Sequence, residues 1–160
     1  MKLYTYVPKD ADKCIRSIAT LPKDNLSWTK YKERANADTR DEVIAWLEST
    51  APGRARSFSA FTQPIPDDAN PDILAFRNAK RQAVVDYDKL KRDGLIEAVY
   101  TQNPDWEPGS DVPKLIAAEP TEDDIDWQQK VRRDLLFAKI RHYLIALMKG
   151  YVPARYVSTK

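Results

Sequence analysis

The segment 53–66, GRARSFSAFTQPIP, concentrates more potential chemistry than any other stretch of the chain. Arg54 and Arg56 stand at its start, Ser57 and Ser59 alternate behind them, and Pro64 and Pro66 close it. Residues 55–63 have the period-two character of a strand. Arg56, Phe58 and Ala60 then share one face, and Ser57, Ser59 and Phe61 the other. Both phenylalanines can be buried only if both faces are covered, which predicts a central strand. Hydroxyls on a covered face need partners or a cavity. A cavity lined by Ser57 and Ser59, with arginines entering at the strand start, suits an anionic ligand. The competing reading bonds the hydroxyls to backbone and leaves the arginines solvated at a strand end.

Two further stretches could join this chemistry. In YKER, Tyr31 and Arg34 share a face at helical spacing. A guanidinium beside an aromatic ring can hold a phosphate or a nucleobase, or it can be a packed surface pair. In GLIEAVY, Glu97 sits between apolar neighbours on a strand. Burial raises a carboxylate's pKa unless a cation is close, and such groups are catalytic candidates. On an edge strand, the same glutamate would instead discourage strand-to-strand aggregation.

The elements that must position these residues are legible in outline. KLYTYV is rich in strand formers and stops at Pro8. A short helix is expected after Asp10, with Ile15 and Ile18 on its apolar side. Residues 22–38 read as irregular or weakly helical. Thr39 and Glu42 have capping-box spacing ahead of a helix that Pro52 and Gly53 terminate. Asn70 and Pro71 open another helix. A strand at 83–86 leads into a helical turn capped by Asp86 or Asp88 and ended at Gly94. Strands follow at 95–100 and, as an edge, in KLIAAE. Residues 120–150 are predicted to form one long C-terminal helix, because Val131, Leu135, Leu136, Ile140, Tyr143, Leu144 and Leu147 recur at three- and four-residue steps. The expected fold is a single α+β domain spanning 1–160. Its mixed or antiparallel sheet has about five short strands, packed with helices.

The order of these elements resembles that of the ADP-ribosyltransferases: an aromatic N-terminal strand, a central strand with paired hydroxyls, then a late strand with a glutamate. The resemblance implies NAD as cofactor. It places Tyr4 or Tyr6 at the first family position, Ser57 and Ser59 at the second, and Glu97 at the third, where the family's glutamate orients the nicotinamide ribose. Arg34, Arg54 and Arg56 would serve the phosphates. The chain departs from the family in having no His or Arg on the first strand and in reading SFS on the second.

Composition excludes several alternatives. Lys and Arg number 26 against 24 Asp and Glu, a net charge of +2, too small for a protein built mainly to neutralise a long phosphate backbone. A single cysteine, Cys14, and a single histidine, His142, make a zinc site improbable, and no metal is expected. The acidic run TEDDID lacks the glycine and spacing of a calcium loop. No stretch reaches about 18 uninterrupted apolar residues, and MKLYTYVPKD lacks a signal peptide's apolar core. These features predict a cytoplasmic protein, or one delivered into a host cell without a cleavable signal. Three functional readings stand together. The first is a small ADP-ribosyltransferase-like enzyme or effector. The second is a protein-interaction module using exposed aromatic and basic residues of the C-terminal helix and tail. The third is a nucleic-acid binder using Lys130, Arg132, Arg133, Lys139 and Arg141 on that helix.

Overall fold

The computed structural model describes residues 1–9, 11, 13–69, 71–103, 105–121 and 142–159. Strand formers at alternating positions build most of the frame: β1 (Lys2–Pro8), β3 (Ser57–Phe61), β4 (Lys80–Asp86), β5 (Ile96–Gln102), β6 (Leu115–Ala117), β7 (His142–Leu147) and β9 (Val157–Thr159). They form one seven-stranded sheet in the order β6-β5-β7-β3-β1-β4-β9, with every neighbouring pair antiparallel. A two-stranded ribbon of β2 (Ile15–Arg16) and β8 (Tyr151–Val152) lies apart from it. The α+β class is thus realised, with more strands than the sequence pattern predicts.

One face of the sheet is apolar throughout. Leu3, Val7, Phe58, Ala60, Ala83, Val85, Val99, Tyr143, Ile145 and Leu147 project into it and form the main core with Ile15, Val152, Tyr156, Tyr87 and Leu90. Two polar side chains inside this layer are satisfied across strands. Thr5 Oγ1 donates to the Ser59 carbonyl at 2.6 Å, and Thr101 Oγ1 donates to that of His142 at 2.9 Å. On the opposite face, Tyr6 and Phe61 pack with Ile65, Ala69 and Ile73 under α3 (Pro71–Asn78). Phe58 and Phe61 are therefore buried on opposite faces of an interior strand.

The helix α1 (Ser27–Ala35) packs on α2 (Arg40–Thr50) through Trp28, Val43 and Leu47, and Ala55 closes this third cluster. The capping box of α2 is formed: the Glu42 N–H donates to Thr39 Oγ1 at 3.2 Å, and Thr39 Oγ1 reaches Glu42 Oε1 at 3.1 Å. The helix α4 (Tyr87–Arg92) is capped by Asp86, whose carboxylate accepts from the Lys89 N–H at 3.1 Å and from Lys2 Nζ at 3.2 Å. These bonds hold the Asp86 carboxyl below its ordinary pKa, the cap N–H being the larger cause.

Four expectations change. The predicted C-terminal helix does not reach 142–150: residues 142–147 are β7, Pro120 and Thr121 are not helical, and 122–141 lie outside the described residues. In HYLIAL, Tyr143, Leu144 and Leu147 fit helical steps, whereas Tyr143, Ile145 and Leu147 alternate as one sheet face. Backbone pairing to β3 and β5 on both sides decides between them. The short helix after Asp10 is replaced by β2 and a 3-10 turn at Ile18–Thr20. Residues 22–38 hold a two-and-a-half-turn helix, α1, stabilised by the burial of Trp28 rather than by propensity. Arg54–Arg56 form a 3-10 turn, so the strand begins at Ser57 and Arg56 leaves the face shared by Phe58 and Ala60. Among the described residues, no helix is long and apolar enough to cross a membrane.

Two outcomes follow from this packing. Ile145→Ala removes a fully buried side chain from the middle strand and should cost about 2–5 kcal/mol, lowering Tm by roughly 5–15 °C in a thermal melt. The depressed carboxyl of Asp86 adds stability above its unfolded pKa, and this is lost as pH falls through the folded value. Asp86→Ala should therefore flatten the acid limb of a Tm-against-pH profile below pH ~4 while lowering Tm at neutral pH.

Candidate functional site

Of the sequence-derived site residues, Arg54, Arg56, Ser57 and Glu97 gather where the turn after α2 meets β3, β7 and β5. Gly53 adopts φ +83°, which lets the chain turn sharply over the sheet. A Cβ there would lie 2.8 Å from Glu97 Oε2 and 2.9 Å from Ala146 Cβ, so the turn rests directly on the strands. Glu48 at the end of α2 holds the turn from the other side: its two carboxylate oxygens accept from the N–H groups of Gly53 at 3.2 Å and Ala55 at 3.0 Å. Tyr100 Oη donates to the Pro52 carbonyl at 2.7 Å, and Ser57 Oγ donates to the Arg54 carbonyl at 2.7 Å. The Ser57 hydroxyl is thus bonded to backbone, one of the two readings its pattern allowed.

Glu97 lies at an irregularity in the β5–β7 ladder, where Ile96 pairs with Leu147 but Ala98 pairs with Ala146. The extra residue brings its carboxylate round to the side of Ala146 and Gly53. Arg56 Nη2 donates to Glu97 Oε2 at 2.5 Å, and Arg56 Nη1 is 3.5 Å from Glu48 Oε1. The bond to Glu97 is the main reason the Arg56 guanidinium is held above its ordinary pKa. Glu97 remains about one-third exposed, and its Oε1 takes no hydrogen bond among the described residues. The strand β6 pairs only with Tyr100, Thr101 and Gln102 of β5, so it does not extend alongside Glu97.

Ser59 stands one pair further along β3, exposed, on the same face as Ser57. In register it neighbours Leu144, which in turn neighbours Tyr100, so these three form one row across β3, β7 and β5. The row spans about 10 Å. Tyr4 and Tyr6 part company with each other. Tyr4 is half-buried on this open face, opposite Phe61. Tyr6 is buried under α3, where its hydroxyl accepts from the Ile65 N–H at 2.8 Å and donates to Gln82 at 3.1 Å. Burial pushes the Tyr6 phenol up. The geometry therefore leaves Tyr4, not Tyr6, facing the hydroxyl strand.

The arginines divide by environment. Arg56 is neutralised by two carboxylates, whereas Arg54 and Arg34 form no ion pair among the described residues. Arg54 is half-buried, with Nη1 donating to Thr50 Oγ1 at 2.7 Å. Its guanidinium is pushed below its ordinary pKa by burial; Tyr31 opposes this, and the like charge of Arg34 adds to it by less. Arg34 lies 5.9 Å from the centre of the Tyr31 ring. Neither Arg34 nor Arg54 is paired with a carboxylate among the described residues.

The sequence signal missed Glu48, whose role depends on the turn folding back onto the end of its helix. Among the described residues, no group of three or more His, Cys, Asp or Glu side chains could hold a metal ion. The basic run Lys130–Arg141 assigned to a protein or nucleic-acid surface lies outside the described residues, and His142 opens β7 with its ring 5.3 Å from that of Phe61. Compared with known proteins, the chain matches no family model, no curated protein and no solved structure.

Gly53 and Gly94 offer an internal comparison, because both have positive φ but only Gly53 is in contact. Gly94→Ala should cost about 1 kcal/mol from backbone strain alone. Gly53→Ala should cost more, about 2 kcal/mol or above, because Glu97 or the sheet must shift. Chemical denaturation of the two variants measures the difference.

Proposed function

We propose that this chain binds NAD through the face that carries Ser59, Glu97 and the Arg34–Arg54 pair, and that it transfers ADP-ribose. The observation that carries the reading is Arg54: a half-buried guanidinium beside a second one, with no carboxylate to neutralise either. Burying a positive charge is unfavourable without a counter-charge, and an anionic ligand provides one. The pyrophosphate of NAD is such a ligand, and Tyr31 beside Arg34 adds a ring for stacking.

The chemistry assigned to Glu97 follows from its two oxygens. Arg56 fixes Oε2, which leaves Oε1 oriented and open to accept from a ribose hydroxyl. As the bond between the ribose C1′ and the nicotinamide nitrogen breaks, the nitrogen keeps the electron pair and nicotinamide leaves neutral. Positive charge then develops on the ribose, where a fixed carboxylate stabilises it. The acceptor nucleophile bonds to C1′ and releases its proton. Ser59 and Tyr4 line the same open face and would position the ligand; Ser57 would shape it through its hold on the Arg54 carbonyl.

NAD should raise Tm, by an amount corresponding to about 2.7 kcal/mol at a hundredfold excess over Kd. Arg54→Gln should fold, yet require at least tenfold more NAD for the same shift. Glu97→Gln should bind NAD and release nicotinamide at least a hundredfold more slowly. Absence of any NAD-dependent shift, or nicotinamide release unaffected in Glu97→Gln, would overturn the reading.

A further inference from the structure

Arg56 bridges two acids that come from separate elements. Its Nη2 donates to Glu97 Oε2 of β5 at 2.5 Å, and its Nη1 lies 3.5 Å from Glu48 Oε1 of α2. Neither pair is deeply buried: the side chains of Arg56 and Glu97 are 36% exposed and that of Glu48 is 31% exposed. An ion pair this open to water is weak when it stands alone, and a long arginine side chain within it keeps much of its freedom. A guanidinium is planar, however, so holding one amino group in place directs the other. Two anchors on one rigid fork fix an orientation that neither would fix alone.

Glu48 is itself well held, since its two oxygens accept from the N–H groups of Gly53 at 3.2 Å and Ala55 at 3.0 Å. Those bonds also hold the turn, but the turn has two further anchors: Tyr100 Oη on the Pro52 carbonyl and Ser57 Oγ on the Arg54 carbonyl. Arg56 has no such reserve, because Glu48 and Glu97 are the acids it pairs with among the described residues. Loss of the Glu48 charge should therefore leave the turn seated and set the guanidinium loose. Tyr100 senses both acids: its phenol is pushed above its ordinary pKa by burial first, and then by Glu97 and Glu48. We propose that Glu48 is a positioning residue for Glu97. By holding Nη1 of Arg56, it aims Nη2 at Glu97 Oε2, and so keeps Oε1 in one orientation.

The inference rests on the ADP-ribose transfer reading for what Oε1 does, and adds to it a residue of α2 that need not touch the ligand. A carboxylate that stabilises developing charge must be fixed before the charge appears. If it strays by about 1 Å, the rate falls while the ligand's phosphates are still held elsewhere. Glu48 thus governs turnover rather than affinity.

Glu48→Gln keeps the size of the side chain and removes its charge. It should lower kcat for nicotinamide release at least about tenfold, while the NAD concentration that gives half the thermal shift stays within about twofold. In an Arg56→Gln background the same replacement should change kcat by less than about twofold, because its effect passes through Arg56. Asp86→Ala, which lowers Tm away from the site, should leave kcat unchanged. An unchanged kcat in Glu48→Gln, a fall in affinity as large as the fall in kcat, or a loss that Asp86→Ala matches would overturn the proposal. So would a loss that persists in the Arg56→Gln background, or a Glu48→Gln chain that does not fold, because Glu48 would then be structural. Nuclear magnetic resonance supplies a readout that needs no NAD. The Nη protons of Arg56, identified by their disappearance in Arg56→Gln, should give separate signals in the unsubstituted chain. In Glu48→Gln they should merge into one averaged signal, as a released guanidinium rotates faster. Signals already averaged in the unsubstituted chain, or still separate in Glu48→Gln, would overturn the proposal even where nicotinamide is released. Averaging confined to Glu48→Gln, with no nicotinamide release from the unsubstituted chain, sinks the ADP-ribose reading alone.

Discussion

The fold turns on the placement of β7 in the middle of the sheet. HYLIAL hydrogen-bonds to β3 on one side and β5 on the other, and its Tyr143, Ile145 and Leu147 are fully buried in the main core. Without it, the strand that carries the serines and the strand that carries Glu97 would have no common neighbour. With it, Ser57 and Ala98 both flank Ala146, and Ser59 and Tyr100 both flank Leu144. Residues some forty positions apart in the chain are thereby brought about two strand spacings from each other. A strand paired on both edges has every backbone group satisfied, which makes this arrangement hard to exchange for another.

The second constraint is the turn at 52–56, which lies on that central strand like a lid. Helix α2 delivers it, Glu48 holds two of its N–H groups, and Tyr100 and Ser57 anchor two of its carbonyls. Its two arginines then meet opposite fates. Arg56 turns toward acids at Glu48 and Glu97 and becomes part of the scaffold. Arg54 instead donates to Thr50 Oγ1 of α2 and forms no ion pair among the described residues. Charge that is neutralised locally serves stability, and only modestly when exposed. Charge left without a partner at a half-buried position is available to a ligand. The contrast within one RAR turn is what supports the proposal of anion recognition at Arg54.

Much of the frame was legible because its signals are local. The Thr39 capping box, the Asp86 cap and the strands around KLYTYV, SFSAF and LIEAVY all depend on neighbours within a few residues. The double burial of Phe58 and Phe61 correctly implied an interior strand. What misled was periodicity in HYLIAL, where apolar residues satisfy both helical and strand spacing, and only the availability of two flanking strands decides. The site was legible by residue type but not by partnership. Arg54, Arg56, Ser57 and Glu97 do lie around one turn and the strands beneath it. Yet nothing local distinguishes the arginine that meets a carboxylate from the one that does not, or Tyr4 on the open face from Tyr6 under α3.

By itself, the sequence determined which side chains can bear charge or donate hydrogen bonds, where helices are capped, and which segments alternate as strands. These properties follow from covalent structure and from contacts within a turn or two of the chain. The tertiary structure alone decided that 142–147 is a strand, that Glu97 is clamped by Arg56, and that Tyr6 is buried under α3 while Tyr4 stays on the open face. Those outcomes depend on which distant segments share a surface, because burial and charge neutralisation act through space and leave no spacing signature along the chain.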